Sequence, residues 1–244
     1  SEIWIIPLVN PDGLDYSILN YRLWRKNRRL NDNGSFGVDL NRNYSFYWGA
    51  DDLGSSPLPS SETYRGEQPF SEPETSAIRD LFLNVNFSAV ISYHSFSQTI
   101  LYPWSYADLP AGQELLFQQL ASELASLISQ VNGRIYQTAR SSSAYLTNGD
   151  FIDWVYGLFD IPALTIELPP VDLTAGGFFN SEQDIQSIAA ENLPAALYLL
   201  DWAISTYNHQ EGQLNPERKN QLEKSPGNSL KNKRVRLTGQ EGSN

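Results

Sequence analysis

Apolar positions along the chain fall into two rhythms. Ile3, Trp4, Ile5, Ile6, Leu8 and Val9 form a nearly continuous apolar run ending at Asn10-Pro11-Asp12-Gly13, a pattern that predicts a buried strand closing in a turn. FSAVISYHS (87–95) and ALTIELPP (163–170) predict two more buried strands, the last stopped by its prolines, and TILYPW (99–104) a shorter extended piece. Helical spacing appears in SEPETSAIRDLFLN (71–84), where Ser71 precedes Glu74 by three residues and Ile78, Leu81 and Phe82 follow. It appears again in GQELLFQQLASELASLISQVN (112–132), which stops at Gly133, and in SEQDIQSIAAENLPAALYLLDWAIS (181–205), with a kink expected at Pro194.

Between the first run and residue 60, Asn, Asp, Gly, Ser and aromatics predict long loops with a short helical stretch near 20–29. From Asn208 onward polar residues dominate, so 208–244 reads as a tail, disordered or a linker, behind a domain over 1–207. Buried strands alternating with amphipathic helices indicate a layered α/β domain. A fully buried strand needs neighbours on both sides, and here nothing precedes the first. The chain contains no Met and opens without a charged-then-apolar leader, so it is expected to be part of something longer, cut on its N-terminal side.

Composition narrows the chemistry. At 41% hydrophobic and 12% aromatic, 244 residues suffice for a sizeable core, and no apolar stretch is long enough to span a bilayer. Without Cys, a metal must be held by His, Asp and Glu, and the two His are His94 and His209. Residues 1–207 carry a net charge of −14 and the tail +3, which disfavours a general nucleic-acid binder. Within that acidic body RLWRKNRR (22–29) is a basic island.

Two strands end in a polar residue, His94 and Glu167, where ligands gather in open α/β sheets. Taken singly, each has an ordinary reading: a hydrogen-bonded structural imidazole and a solvated edge charge. Arg25 and Arg42, the latter beside Asn41, add forks that match a carboxylate through paired hydrogen bonds. A carboxylate clamp, an imidazole that can bind metal and a carboxylate base are the parts needed to hydrolyse a bond beside a free C-terminus. A solvated face, or arginine stacked on Trp24, would account for RLWRKNRR equally well.

Seven segments decide between these readings: NPDG (10–13), RLWRKNRR (22–29), GVDLNRNYSFYWG (37–49), SETYRGEQPFSEPE (61–74), ISYHSFSQTILYPW (91–104), YLTNGDFIDW (145–154) and TIEL (165–168). In this order, over about residues 2–205, they resemble the zinc metallocarboxypeptidases of the carboxypeptidase A/B type, and most the bacterial carboxypeptidase T branch. The resemblance implies a mixed-sheet α/β/α metallocarboxypeptidase-like domain, here lacking its first strands. It implies a Zn2+ ion, peptide or protein C-termini as substrate, no nucleic-acid or membrane partner, a monomer, and a secreted or periplasmic setting.

By the same resemblance His94 matches a zinc ligand, Glu167 the general acid/base and Arg25 the arginine beside the developing oxyanion. Asn41, Arg42 and Tyr145 match the groups that bind the terminal carboxylate, Tyr145 on a closing loop. Asp39 matches a carboxylate that orients a zinc-bound imidazole. Ile152, Asp150 and Leu101, with Ser105, match the side-chain pocket, implying release of apolar residues with basic ones tolerated. Arg140 is expected near that pocket, where it could neutralise Asp150. Phe96 stands where many members have Tyr.

The family's other two ligands come as His-x-x-Glu before the Asn-Pro-Asp-Gly segment, and no His precedes His94 here. Two of three protein ligands are therefore expected to be missing, and this chain alone to be inactive. Three other readings stay open: a noncatalytic relative that binds C-termini, a cell-wall peptide carboxypeptidase, and a polyanion-binding module using RLWRKNRR with Lys231, Lys233, Arg234 and Arg236.

Overall fold

The computed structural model describes residues 2–179 and 181–207. The expected tail, with His209 and the basic residues from Lys231 onward, lies outside the described residues.

Four strands, β1 (Val90–Ser95), β2 (Thr99–Tyr102), β3 (Gln137–Arg140) and β4 (Ala163–Leu168), form one sheet in the order β1-β4-β2-β3. β4 runs parallel to β1 and antiparallel to β2, while β2 and β3 are parallel, so the sheet is mixed. Side chains alternate across it. Leu164 and Ile166 enter one apolar cluster with α3 (Glu114–Asn132) and α5 (Ile185–Tyr207). Ala163 enters another with α2 (Pro73–Asn84) and α4 (Phe151–Phe159). Helices thus cover both faces, and the domain is layered α/β as the alternating pattern leads one to expect.

The helical spacing of α3 explains its burial. Phe117, Leu120, Ala121, Leu124 and Ile128 lie on one stripe, all buried, and the helix stops where Gly133 takes a left-handed φ of 78°. Each fully buried large side chain of that stripe contributes about 1.5–3 kcal/mol of transfer free energy. α5 carries Pro194 in its interior, which removes a hydrogen-bond donor to the preceding turn.

Several expectations need correcting. Residues 3–9 form no strand: Ile5 is 81% exposed and Ile3, Trp4, Ile6, Leu8 and Val9 are exposed as well. An apolar run becomes a strand only when a neighbour takes its backbone groups, and among the described residues none does. Asn10-Pro11-Asp12-Gly13 is not a turn but the start of α1 (Pro11–Leu19). The Asn10 side chain accepts from Gly13 N at 3.0 Å and Pro11 occupies the first helical position. Residues 20–29, where a short helical stretch is expected, hold turns and irregular chain, and the helix of this region ends before them at Leu19. α2 begins one residue later than the Ser71/Glu74 spacing suggests, because Ser71 Oγ donates to Glu72 instead of capping.

Candidate active site

In a parallel pair, residues in register share a face, and His94 stands opposite Glu167 in the β1–β4 ladder. Ser92 and Thr165 are the next pair on that face, and Leu101 of β2 is in register with Thr165. Ser92 Oγ lies 3.0 Å from His94 Nε2. The carboxyl-terminal ends of two adjacent parallel strands thus place an imidazole and a carboxyl side by side. Leu101 is half-buried.

The 22–29 segment is not a solvated face. Lys26 is buried and its Nζ donates to the carbonyls of Pro59 (3.1 Å) and Ser61 (2.9 Å). The Arg28 guanidinium stacks at 3.6 Å from the Tyr16 ring centroid, 4.6 Å from Trp24 and 4.4 Å from Phe36, so cation–π packing accounts for that residue. Asn27 donates to Glu72 at 2.7 Å, and Glu72 also accepts from Arg29 at 2.9 Å. These anchors carry Arg25, whose Nη2 donates to Asp39 Oδ2 at 2.7 Å.

Asp39 caps a 3-10 turn (Leu40–Arg42) by accepting from Asn41 N at 3.2 Å. It is the carboxylate nearest to both arginines, at 2.7 Å from Arg25 and 4.0 Å from Arg42. Arg42 is only 2% exposed; its Nη1 donates to Asn41 O at 2.8 Å, and its Nε has no partner. The Tyr145 ring, on an exposed loop, lies 6.0 Å from that guanidinium. The loop continues through Gly149, φ 66°, where an added Cβ would meet Arg42 O at 2.5 Å, so a glycine permits the close approach.

Two further groups are perturbed. Burial pushes the Glu167 carboxyl up to about 7, Arg25 opposing and Asp150 assisting, and its Oε2 has no partner. Burial lowers His94 below the ordinary imidazole range, against the pull of Asp150. Asp39 keeps Arg25 firmly protonated.

The remaining expected residues are placed as follows. Ile152 is buried in the cluster of Tyr44 and Trp154. Ser105 is buried, its N–H donating to both Asp153 oxygens at 2.9 Å, while its hydroxyl has no partner. Phe96 meets Phe178 edge-on at 4.7 Å. Asp150 caps α4 and bonds Asn41. Arg140 does not pair with Asp150; it binds Asp108 (2.5 Å) and Glu114 (3.1 Å). Three supports went unread in the sequence. Asn43 holds Arg65 O, Gln68 O and Ser71 Oγ; Glu72 joins the 22–29 segment to α2; and Ser92 sits on the imidazole. Asn43 and Glu72 lie inside motifs quoted above, but only the fold reveals their partners.

His94 is the only imidazole among the described residues, and no group of three or more His, Asp or Glu there could hold a metal. A catalytic zinc takes three protein ligands, so these residues do not by themselves fit the ion.

The profile of the zinc carboxypeptidase family matches residues 1–195. Carboxypeptidase B2 of Rattus norvegicus is 39% identical over 209 residues, covering 83% of this chain and 48% of the rat protein. Carboxypeptidase B of Astacus astacus is 34% identical over 214 residues, covering 85% and 69%. A crystal structure of thrombin activatable fibrinolysis inhibitor superposes with a TM-score of 0.77 at 32% identity, covering 82% of this chain and 50% of that one. The chain therefore spans about half the length of the rat relative.

Proposed function

The chain belongs to the zinc carboxypeptidase family, and from that premise we propose that its site binds the free C-terminus of a peptide for hydrolysis of the last peptide bond. The observation that carries the reading is Arg42: a guanidinium 2% exposed, with Nε unpartnered and its nearest carboxylate 4.0 Å away. A buried cation left short of acceptors is a receptor for an anion, and the planar fork suits a carboxylate.

In this proposal Arg42 and Asn41 receive the terminal carboxylate and Tyr145 closes over it. Arg25, held by Asp39, presents positive charge where the scissile carbonyl gains negative charge. Glu167 is suited to taking and returning a proton, because a carboxyl titrating at about 7 is half ionised at neutral pH and its Oε2 is uncommitted. The half-buried Leu101 favours apolar C-terminal residues, with Ile152 packed in the core behind the pocket. The domain over 1–207, a secreted or periplasmic setting and a monomeric state belong to the same proposal. Among the described residues no helix is long and apolar enough to cross a membrane.

One observation favours a second reading, binding of C-termini without hydrolysis: His94 has no companion ligands among the described residues. The two are separated by incubating the natural full-length protein with hippuryl-phenylalanine and zinc. Release of phenylalanine, lost in Glu167→Gln while binding persists, supports the hydrolase. Binding without release supports the second reading.

A further inference from the structure

We infer that Asp150 is a positioning residue that fixes the amide of Asn41 for the incoming carboxylate, and that it does not select the C-terminal side chain. The inference rests in part on the carboxylate-binding reading above, which Asn41 serves.

The geometry is a reciprocal clamp between residues far apart in sequence. Asp150 Oδ2 accepts from Asn41 Nδ2 at 2.9 Å, and Asn41 Oδ1 accepts from Phe151 N at 2.9 Å. One donor and one acceptor thereby set which way the amide faces, leaving the second Nδ2 hydrogen for a ligand. The other carboxylate oxygen is also engaged: Oδ1 accepts from Ile152 N at 2.9 Å as the cap of α4, and Thr147 Oγ1 lies 3.5 Å from Oδ2. Tyr44 N donates to Gly149 O at 3.1 Å, so backbone as well as side chains tie the 3-10 turn to the start of α4.

A pocket acid that pairs with a guest ammonium should present an oxygen to the cavity. Asp150 is 5% exposed and each of its oxygens holds a protein donor. A lysine side chain reaching it would have to displace the helix cap or the Asn41 bond, and either loss would disturb the carboxylate receptor itself. Rejecting the bond also leaves a buried polar group unpaired, a costly outcome. The charge of Asp150 is met at longer range by Arg42 and His94, groups of the same site.

The test uses the full chain, with Asp150→Ala and Asp150→Asn. The first readout is the Asn41 side-chain amide signal in a 15N–1H spectrum, which needs no ligand. Asp150→Ala should collapse the separation and hydrogen-exchange protection of that NH2 pair, and Asp150→Asn, which keeps an acceptor and a good cap, should restore it in large part. The second is affinity for hippuryl-phenylalanine and hippuryl-lysine. Asp150→Ala should weaken both roughly tenfold, as for loss of one charge-assisted hydrogen bond, and Asp150→Asn both by less. The ratio between the peptides should stay within about twofold. An unchanged Asn41 signal in Asp150→Ala overturns the inference, as does selective loss of the lysine peptide in Asp150→Asn. If the wild-type chain binds neither peptide while the amide signal behaves as described, the clamp stands and the carboxylate-binding reading falls.

Discussion

Arg25 Nη2 lies 2.7 Å from Oδ2 of Asp39, and the same aspartate caps the turn that carries Asn41 and Arg42. One buried carboxylate therefore holds two arginines to which the proposed function gives different duties, one at the scissile carbonyl and one at the terminal carboxylate. Replacing Asp39 by Ala should disturb both. A lost cap costs about 1 kcal/mol, and the buried Arg42, 4.0 Å from the same carboxylate, loses its nearest counter-charge as well. Urea denaturation should show a fall of about 2 kcal/mol for Asp39→Ala and a smaller one for Asp39→Asn, which still caps. Equal stability of wild type and Asp39→Ala would mean that the carboxylate does not organise the site.

Glu167 makes a prediction about pH. Its folded carboxyl titrates at about 7, above its ordinary value of 4.5, so the native state holds its proton where the unfolded state has lost it. Stability should therefore fall as pH rises from about 4.5 through about 7, as far as Glu167 is concerned, and level off above. Glu167→Gln removes this component. The urea midpoint of the wild-type chain, measured without metal between pH 5 and 8, should decline relative to that of Glu167→Gln. Parallel curves would show a solvated carboxylate.

Metal content follows from the ligand count. With one imidazole among the described residues, the 244-residue chain should retain much less than one zinc per molecule after gel filtration, by elemental mass spectrometry. Stoichiometric zinc that survives His94→Ala would place the ion elsewhere. Stoichiometric zinc that is lost with His94 would show that ligands beyond the described residues complete the site.

The parts of this site readable in the sequence were those with a local cause. β1 and β4 are short apolar runs ending in His94 and Glu167, and their parallel register brings the two together. The same rule failed for Ile3–Val9, because being a strand depends on a partner's backbone and apolarity alone does not supply one. α4 went unseen because its nine residues, rich in aromatics and with Gly157 among them, are too short a window to separate a helical repeat from a continuous apolar run. The motif position suggests a pocket acid at Asp150, while its bond to Asn41, 109 residues away, exists only in the fold and carries the positioning role inferred above. The expected pairing of Arg140 with Asp150 failed because Asp108 and Glu114 reach that guanidinium through the fold.

Lys26 tests whether the basic segment is structural scaffolding for Arg25. Its Nζ satisfies two carbonyls, and Lys26→Met keeps the buried stem while leaving both unpaired. A loss of about 2–3 kcal/mol is expected in thermal or urea unfolding, against near-neutral behaviour for a solvated lysine.

The central claim is that Arg42 is the receptor for a free C-terminal carboxylate, and calorimetry on the chain tests it most directly. Hippuryl-phenylalanine should bind at least tenfold more tightly than its C-terminal amide, and Arg42→Ala should abolish that difference, because only the acid offers a charge to the buried guanidinium. Equal affinity for acid and amide, or a preference that survives Arg42→Ala, would contradict it.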